Sequence, residues 1–279
     1  MIAAARAPTS AARIAALPMY DLPGLEPAND ALWRALARRL IAAGVEDVPE
    51  QLTRGASPTA LWREPHLLLA QSCGYPLVTS LRGVVKVVAT PRYRASGCRG
   101  VFSRSAIVVR LDHSAQTLAD MRGSRCVINE PTSNSGMNLL RAAIAPLAAG
   151  QRFFRAVFVS GSHRESLRMV AAGEGDVAAI DCVTLEHLQR RDMGLAAAVR
   201  VLCWTVPSHS LPLVTSSDTD DATIAALRAA LADVTADPSL ATVRDALLIA
   251  GFDVPGETAY DCVLEIERCA IRLGYPQIC

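Results

Sequence analysis

The sequence has few lysines, few aromatic residues and no long hydrophobic run. Lys86 is the only lysine, so arginine supplies nearly all of the 28 basic residues that face 27 acidic ones. A net charge of +1 without a basic run disfavours a nucleic-acid partner. No segment approaches the roughly 18 apolar residues of a membrane-spanning helix. With 51% hydrophobic and 20% charged residues, the 279-residue chain is predicted to be globular, with about two domains.

Motifs for metals and nucleotides are also absent. The sequence contains no CxxC pair, no HExxH and no glycine-rich P-loop or GxGxxG motif, so neither a metal nor a cofactor is predicted. Of the eight cysteines, Cys262, Cys269 and Cys279 lie near the C-terminus and could form a disulfide in an oxidising compartment. The sequence leaves their redox state open.

Short apolar segments alternate with segments of helical periodicity. Strand-like segments are RIAALPM, HLLLAQ, GVVKVVAT, SAIVVRL, RCVIN, AVFVS, DVAAI, RVLCW and LPLVTS, and helical periodicity covers residues 27–43, 135–149, 163–172 and 182–191. This alternation predicts an α/β protein with mostly parallel sheets flanked by helices. The end of the chain instead predicts helices almost throughout, including one over PSLATVRDALLIAGF that ends at Gly251.

A polar segment without charge follows one predicted strand. SRCVIN leads into EPTSNSG, where Ser133, Asn134 and Ser135 precede a predicted helix. Ligands of open α/β sheets bind at the carboxyl ends of strands, and the free N–H groups of a helix start attract an oxyanion. A helix cap needs only one such side chain. The surplus favours an anion site, although a plain capped helix stays open from this segment alone.

A second segment repeats the same plan. FVSGSHRESLRMVAAGEGDVAAID contains a strand, a polar loop with His163 at a helix start, a second strand and then Asp181. His163 is either a structural residue or a donor that faces the same crevice. Asp181 is either a helix N-cap or a partner for a cationic or hydroxyl group of a ligand.

The two segments together resemble a known family. EPTSNSG, followed by SGSHRESLRMVAAGEGDVAAID, is similar to the phosphate, phosphite and phosphonate binding components of ABC transporters, the PhnD-like periplasmic binding proteins. The resemblance implies that Ser133, Asn134, Ser135 and His163 contact an oxyanion head group. The sequence departs from the family pattern at Asn134, where threonine is usual, and at Arg164, where an acidic residue is common.

The resemblance also implies a type II periplasmic-binding-protein fold of two α/β lobes joined by two crossing strands. We place the crossings near residues 102–108 and 202–206, which assigns residues 1–105 and 203–279 to lobe I and residues 106–202 to lobe II. Lobe I then supplies the opposing wall, with Tyr20 and Tyr75 as candidate ligand contacts. Ser105 and Gln71 are weaker candidates.

The predicted function is capture of a small phosphorus oxyanion (phosphate, phosphite or a phosphonate) in the cleft between the lobes, by a monomeric binder that serves an ABC permease. A cleft enzyme remains an alternative, with His163 and Asp181 as acid and base or Cys73 as nucleophile. A ligand-sensing module is another. The first residues do not have the pattern of a secretory signal, because Arg6 and Pro8 interrupt the apolar segment that such a signal requires. The resemblance predicts a periplasmic location, whereas these first residues leave a cytoplasmic one open.

Overall fold

The computed structural model describes residues 12–279. The opening segment that bears on the secretory signal lies outside the described residues. Within residues 12–279, none of the helices combines the length and the apolar character needed to cross a membrane.

Strands and helices alternate through the described residues, as the sequence predicts. The strands are β1 Ile14–Ala16, β2 Leu67–Gln71, β3 Val85–Tyr93, β4 Phe102–Ser103, β5 Ser105–Arg110, β6 Arg125–Ile128, β7 Ala156–Val159, β8 Val177–Asp181, β9 Val199–Trp204, β10 Ser208–His209, β11 Leu213–Ser216 and β12 Ile249–Asp253. The helices are α1 Glu26–Ala42, α2 Pro58–Leu61, α3 Gly74–Val78, α4 Leu139–Ala148, α5 His163–Ala171, α6 Cys182–Arg191, α7 Met193–Ala197, α8 Asp221–Ala236, α9 Ala241–Ala246 and α10 Asp261–Arg272.

The strands form two five-stranded sheets and one two-stranded ribbon. The first sheet has the order β1-β2-β11-β3-β12, with β1 parallel to β2 and with β11 and β12 antiparallel to their neighbours. The second sheet has the order β7-β6-β8-β5-β9. In it β6 runs parallel to both β7 and β8, whereas β5 is antiparallel to β8 and β9. Both sheets therefore mix parallel and antiparallel pairs rather than being mostly parallel, because β5, β11 and β12 run opposite to their neighbours. Because β6 and β7 are parallel neighbours, the loops that follow them meet at one edge of the sheet.

Two stretches connect the sheets. Residues 94–104 lead from β3 of the first sheet to β5 of the second, and residues 205–212 return from β9 to β11. Within these stretches β4 and β10 pair as an antiparallel ribbon, with Ser103 opposite Ser208. The chain therefore crosses between two lobes beside a short ribbon.

Each sheet is covered by helices. One core surrounds the first sheet and includes residues of α1 and α8. The second sheet has a core on each face, since Ile107 and Val109 of β5 point into one and Ala106 and Val108 into the other. The C-terminal segment reaches the second lobe, where Tyr275 is buried with the second-lobe core.

The prediction for the end of the chain is partly wrong. The segment predicted as one helix up to Gly251 forms the short helix α9 and then strand β12. Leu248 has a φ of +59°, which ends the helical path, and β12 then pairs with the free edge of β3. The apolar run LLIAGF therefore leads into the strand at this sheet edge and does not extend the helix.

Candidate functional site

A π-helical turn, Asn134–Asn138, opens helix α4 after strand β6. Ser133 caps it, because its Oγ accepts a hydrogen bond from the backbone N–H of Gly136 at 3.0 Å. At Gly136 an added Cβ would lie 1.8 Å from Oδ1 of Asn129, so this close approach requires glycine. The helix start predicted from the sequence is present, and Ser133 acts as its N-cap in this structure.

Ser135 and His163 meet at this turn. Ser135 Oγ and His163 Nε2 lie 2.8 Å apart. His163 begins α5 after strand β7, so the pair joins the loops at the carboxyl ends of β6 and β7. Burial lowers the pKa of His163, which keeps the imidazole neutral near pH 7, with one ring N–H as donor. Ser105 Oγ donates to the backbone oxygen of Ser135 at 2.8 Å and so fixes the turn to β5.

Asn134 docks the turn against the first lobe. Its backbone N–H donates to Cys73 Sγ at 3.4 Å, and its Nδ2 donates to Ser208 Oγ at 2.9 Å. Its Oδ1 accepts from Asn138 Nδ2 at 3.0 Å. All of these residues are buried. The two lobes therefore touch directly at the predicted anion loop, and a ligand held there must replace some of these contacts.

Tyr20 and Asp181 form a second contact between the lobes. The Tyr20 hydroxyl donates to Oδ1 of Asp181 at 2.9 Å, and the same oxygen accepts the backbone N–H of Thr184 at the start of α6. Asp181 is therefore an N-cap, one of its two predicted roles. Burial, with the nearby Asp181 carboxyl adding to it, raises the pKa of Tyr20, so the phenol stays protonated and remains a donor. The Tyr93 ring packs edge-on against Tyr20 at 5.4 Å.

Tyr75 and Gln71 make contacts away from the polar turn. The Tyr75 hydroxyl donates to Oε1 of Glu267 on α10 at 2.5 Å, and Gln71 Nε2 donates to the Tyr93 hydroxyl at 2.7 Å. Beside Gln71 and Tyr93 lies a cavity of about 30 Å³ inside the first lobe. That volume suits a water molecule rather than a phosphonate. The structure thus brings Ser133, Asn134, Ser135 and His163 together and pairs Tyr20 with Asp181, but it engages the Tyr75 hydroxyl elsewhere.

The side chains at this turn supply donors without supplying positive charge. Arg164, the residue after His163, points outward and pairs with Asp192 at 2.9 Å, with about half of its side chain exposed. It therefore does not add charge to the turn in this structure. Among residues 12–279, no group of three or more His, Cys, Asp or Glu side chains is arranged to hold a metal ion.

The geometry does not favour the catalytic alternative. Burial raises the pKa of Cys73, and the thiolate is the reactive form of cysteine, so this side chain is a poor nucleophile. His163 is hydrogen-bonded to Ser135 rather than to Asp181, so the predicted acid and base do not form a pair.

A polar network behind the turn was not predicted from the sequence. Arg141 on α4 is buried, donates to Oδ1 of Asn138 at 2.7 Å, and lies 3.2 Å from Glu267. Asn138 also donates to the backbone oxygen of Val263 at 3.1 Å. The network ties α4 to α10. Its only sequence signal is the spacing of Asn138 and Arg141, which places two polar side chains on one face of an otherwise apolar helix.

Comparison with known families shows the family of the protein. A model of the family described as ABC transporter, phosphonate, periplasmic substrate-binding protein matches residues 24–260, which is most of the chain. The chain belongs to this family. The membership confirms the resemblance seen in the sequence and the prediction of a solute-binding protein rather than an enzyme. Proteins of this family bind small phosphonate ligands and work with ABC transporter components in the periplasm.

Solved structures share the two-lobe fold. PhnD1 from Prochlorococcus marinus, in complex with methylphosphonate, has a TM-score of 0.75 and 16% identity, covering 92% of this chain and 97% of that one. A binding protein component of an ABC phosphonate transporter from Pseudomonas aeruginosa has a TM-score of 0.73 and 16% identity, covering 94% and 87%. XAC2383 from Xanthomonas citri, bound to ATP, has a TM-score of 0.67 and 15% identity, covering 94% and 97%. These likenesses confirm the predicted fold class. No curated protein sequence matches the chain.

Proposed function

We propose that this protein captures a small phosphorus oxyanion, either phosphate, phosphite or a phosphonate, between its two lobes. The observation that carries the proposal is the 2.8 Å contact between Ser135 Oγ and His163 Nε2, which joins the starts of two helices that follow parallel neighbouring strands. Two helices that begin directly after adjacent parallel strands direct their free N–H groups and side-chain donors toward one point. Such a point suits the tetrahedral oxygens of a phosphorus oxyanion.

The head group would be held by neutral donors. We assign this role to Ser133, Asn134, Ser135 and His163, and the donors are their hydroxyls, the imidazole and the backbone N–H groups of the turn. The Asn134 N–H donates to the sulfur of Cys73, a weak acceptor that an anionic oxygen can replace at a gain. Four hydrogen bonds to an ionised group give about 6 to 12 kcal/mol gross. Costs of association and ordering leave an affinity of roughly micromolar.

The first lobe would close on the other side of the ligand. We assign Tyr20 and Tyr75 to this wall, together with Asp181 of the second lobe. When a ligand enters, the Tyr20 hydroxyl can exchange Asp181 for a ligand oxygen, and Asp181 can then accept from a hydroxyl or cationic group of the ligand. A ligand that carries such a donor beside its phosphorus group would satisfy both side chains.

Lobe closure would couple binding to transport. We take residues 1–105 and 203–279 as lobe I and residues 106–202 as lobe II, with the stretches at 94–104 and 205–212 as the hinge. The direct contacts between the lobes support a clamp that opens at this hinge. The closed, ligand-loaded monomer would then be recognised by an ABC permease at the periplasmic side of the membrane.

Isothermal titration tests the proposal. The wild-type protein should bind methylphosphonate, phosphite or phosphate with one site per chain, and sulfate serves as the comparison anion. Ser135→Ala removes one donor to a charged group, worth about 1.5 to 3 kcal/mol, and should weaken binding roughly 10- to 100-fold. Ser124→Ala is the matched control, because it removes a serine hydroxyl that donates to the backbone oxygen of Met121 and lies just before β6, at the end of the strand opposite the turn. Absence of heat with all three phosphorus anions would refute the proposal.

A further inference from the structure

Two cysteines far apart in the sequence bring their sulfur atoms together between the lobes. Cys98 Sγ and Cys182 Sγ lie 3.4 Å apart although 84 residues separate them. Cys98 belongs to the stretch at 94–104 that connects the first sheet to the second. Cys182 is the first residue of α6 and follows Asp181 directly. The pair therefore joins the connecting stretch of the hinge to the second lobe.

The surrounding backbone holds both cysteines in place. Gly97 has a φ of +93°, and a Cβ there would lie 2.7 Å from the Trp204 ring and 3.1 Å from Cβ of Cys182. Glycine therefore permits both the turn and its close approach to α6. The N–H of Cys98 donates to the oxygen of Ala95 at 3.0 Å, and the N–H of Cys182 donates to the oxygen of Arg104 at 3.3 Å. The two sulfurs are thus placed by local structure on both sides.

We propose that Cys98 and Cys182 form a disulfide under oxidising conditions and that this bond restricts the opening of the lobes. A disulfide requires about 2.05 Å between sulfurs, so the two atoms must approach by about 1.4 Å. The bond would fix α6, and with it Asp181, to the hinge. Restriction of opening rests on the lobe movement in the proposed function, whereas formation of the bond does not.

The oxidation is an exchange with a small disulfide such as oxidised glutathione. The thiolate of Cys98, which is half-buried, attacks one sulfur of the reagent, and the other half of the reagent leaves as a thiolate. The thiolate of Cys182 then attacks the Cys98 sulfur and releases the second half. Two protein thiols lose two protons and two electrons, and the reagent is reduced to two thiols.

The order of attack follows from the surroundings of the two thiols. Contact with Cys98 and burial raise the pKa of Cys182, so its thiolate is scarce near neutral pH. The half-buried Cys98 is therefore expected to attack the reagent before the buried Cys182 does. The rate should increase as the pH is raised.

Peptide mapping tests bond formation without any ligand. Protein is incubated with oxidised glutathione, free thiols are alkylated, and trypsin is added. The expected product is ASGCR of residues 95–99 linked to MVAAGEGDVAAIDCVTLEHLQR of residues 169–190. Cys98→Ser should abolish the linked pair, while Cys203→Ser should preserve it, since Cys203 is a half-buried cysteine on β9 and is not part of the pair. Alkylation of Cys182 in wild-type protein after oxidation, without the linked pair, would overturn the proposal.

Small-angle scattering tests the consequence for the lobes. In the absence of ligand, oxidised wild-type protein should keep the smaller radius of gyration. Reduced wild-type protein and Cys98→Ser should both show a larger one. An equal radius of gyration in oxidised and reduced protein would overturn the restriction of opening. Because no ligand is used, a failure here is distinct from a failure to bind phosphorus anions.

Discussion

His187 provides a direct test of how the lobes are joined. Its side chain is buried, and neither ring nitrogen has a hydrogen-bond partner among residues 12–279. It lies on the face of α6 that also carries Val183, which packs into the first-lobe core, and Arg191, which donates to the oxygen of Gly24 at 2.9 Å. The His187 ring is 6.3 Å from that of Tyr20. The imidazole therefore sits where α6 meets the first lobe.

This burial makes stability depend on pH. Burial, with the charges of Arg191 and Arg190 adding to it and that of Glu186 opposing it, lowers the pKa of His187 to about 4. In the unfolded chain a histidine has a pKa of about 6.5. Between these two values the unfolded chain binds more protons, so stability is full above about pH 6.5 and falls as the pH falls toward 4. At pH 5 the loss attributable to His187 is about 2 kcal/mol.

Denaturant unfolding at pH 7.5 and pH 5 measures this loss. His187→Leu removes the titrating group and leaves a buried side chain that needs no hydrogen-bond partner. The wild type should lose about 2 kcal/mol more than His187→Leu between the two pH values. Burial also lowers the pKa values of His163 and His209, but both remain in the variant and cancel in the comparison. Parallel losses in the two proteins would refute the placement of a buried, neutral His187 between the lobes.

Two further predictions concern the site. Tyr20→Phe leaves the buried Asp181 carboxyl with one donor fewer, so the free energy of unfolding should fall by about 1 to 3 kcal/mol in denaturant titrations; no change would show that the contact does not hold the lobes. Gly136→Ala places a methyl against Asn129 and should cost about 1 to 3 kcal/mol, measured by thermal unfolding, and weaken ligand binding. Gly194→Ala is its control, because a Cβ at Gly194 meets nothing within 4 Å; equal stability of the two variants would contradict the packing of the turn.

Most strands of the two five-stranded sheets were predictable, because a short apolar segment of strand length indicates a buried strand. The strands before residue 217 that were predicted from apolar segments are all present, and α6 spans Cys182–Arg191 as predicted. Strand β12 was missed because its apolar run can be buried equally well by a helix. What decided its conformation was the open edge of β3, and pairing across a sheet is not visible in a local pattern.

The part of the candidate site that lies at the helix starts was predictable from the sequence. Ser135 and His163 each start a helix, and the parallel pairing of β6 with β7 then brings them together. The Tyr75 hydroxyl was not predictable in the same way, since its partner Glu267 lies 192 residues away on α10. The contact between Cys98 and Cys182 likewise depends on the crossing of the chain between lobes.

The crystal structure of the protein with methylphosphonate tests the central claim most directly. The account predicts the phosphorus group at the π-helical turn, with its oxygens within hydrogen-bonding distance of Ser135 Oγ and His163 Nε2. It also predicts that the Asn134 N–H turns from Cys73 to the ligand. A ligand bound elsewhere, with Ser135 still hydrogen-bonded only to His163, would contradict the account.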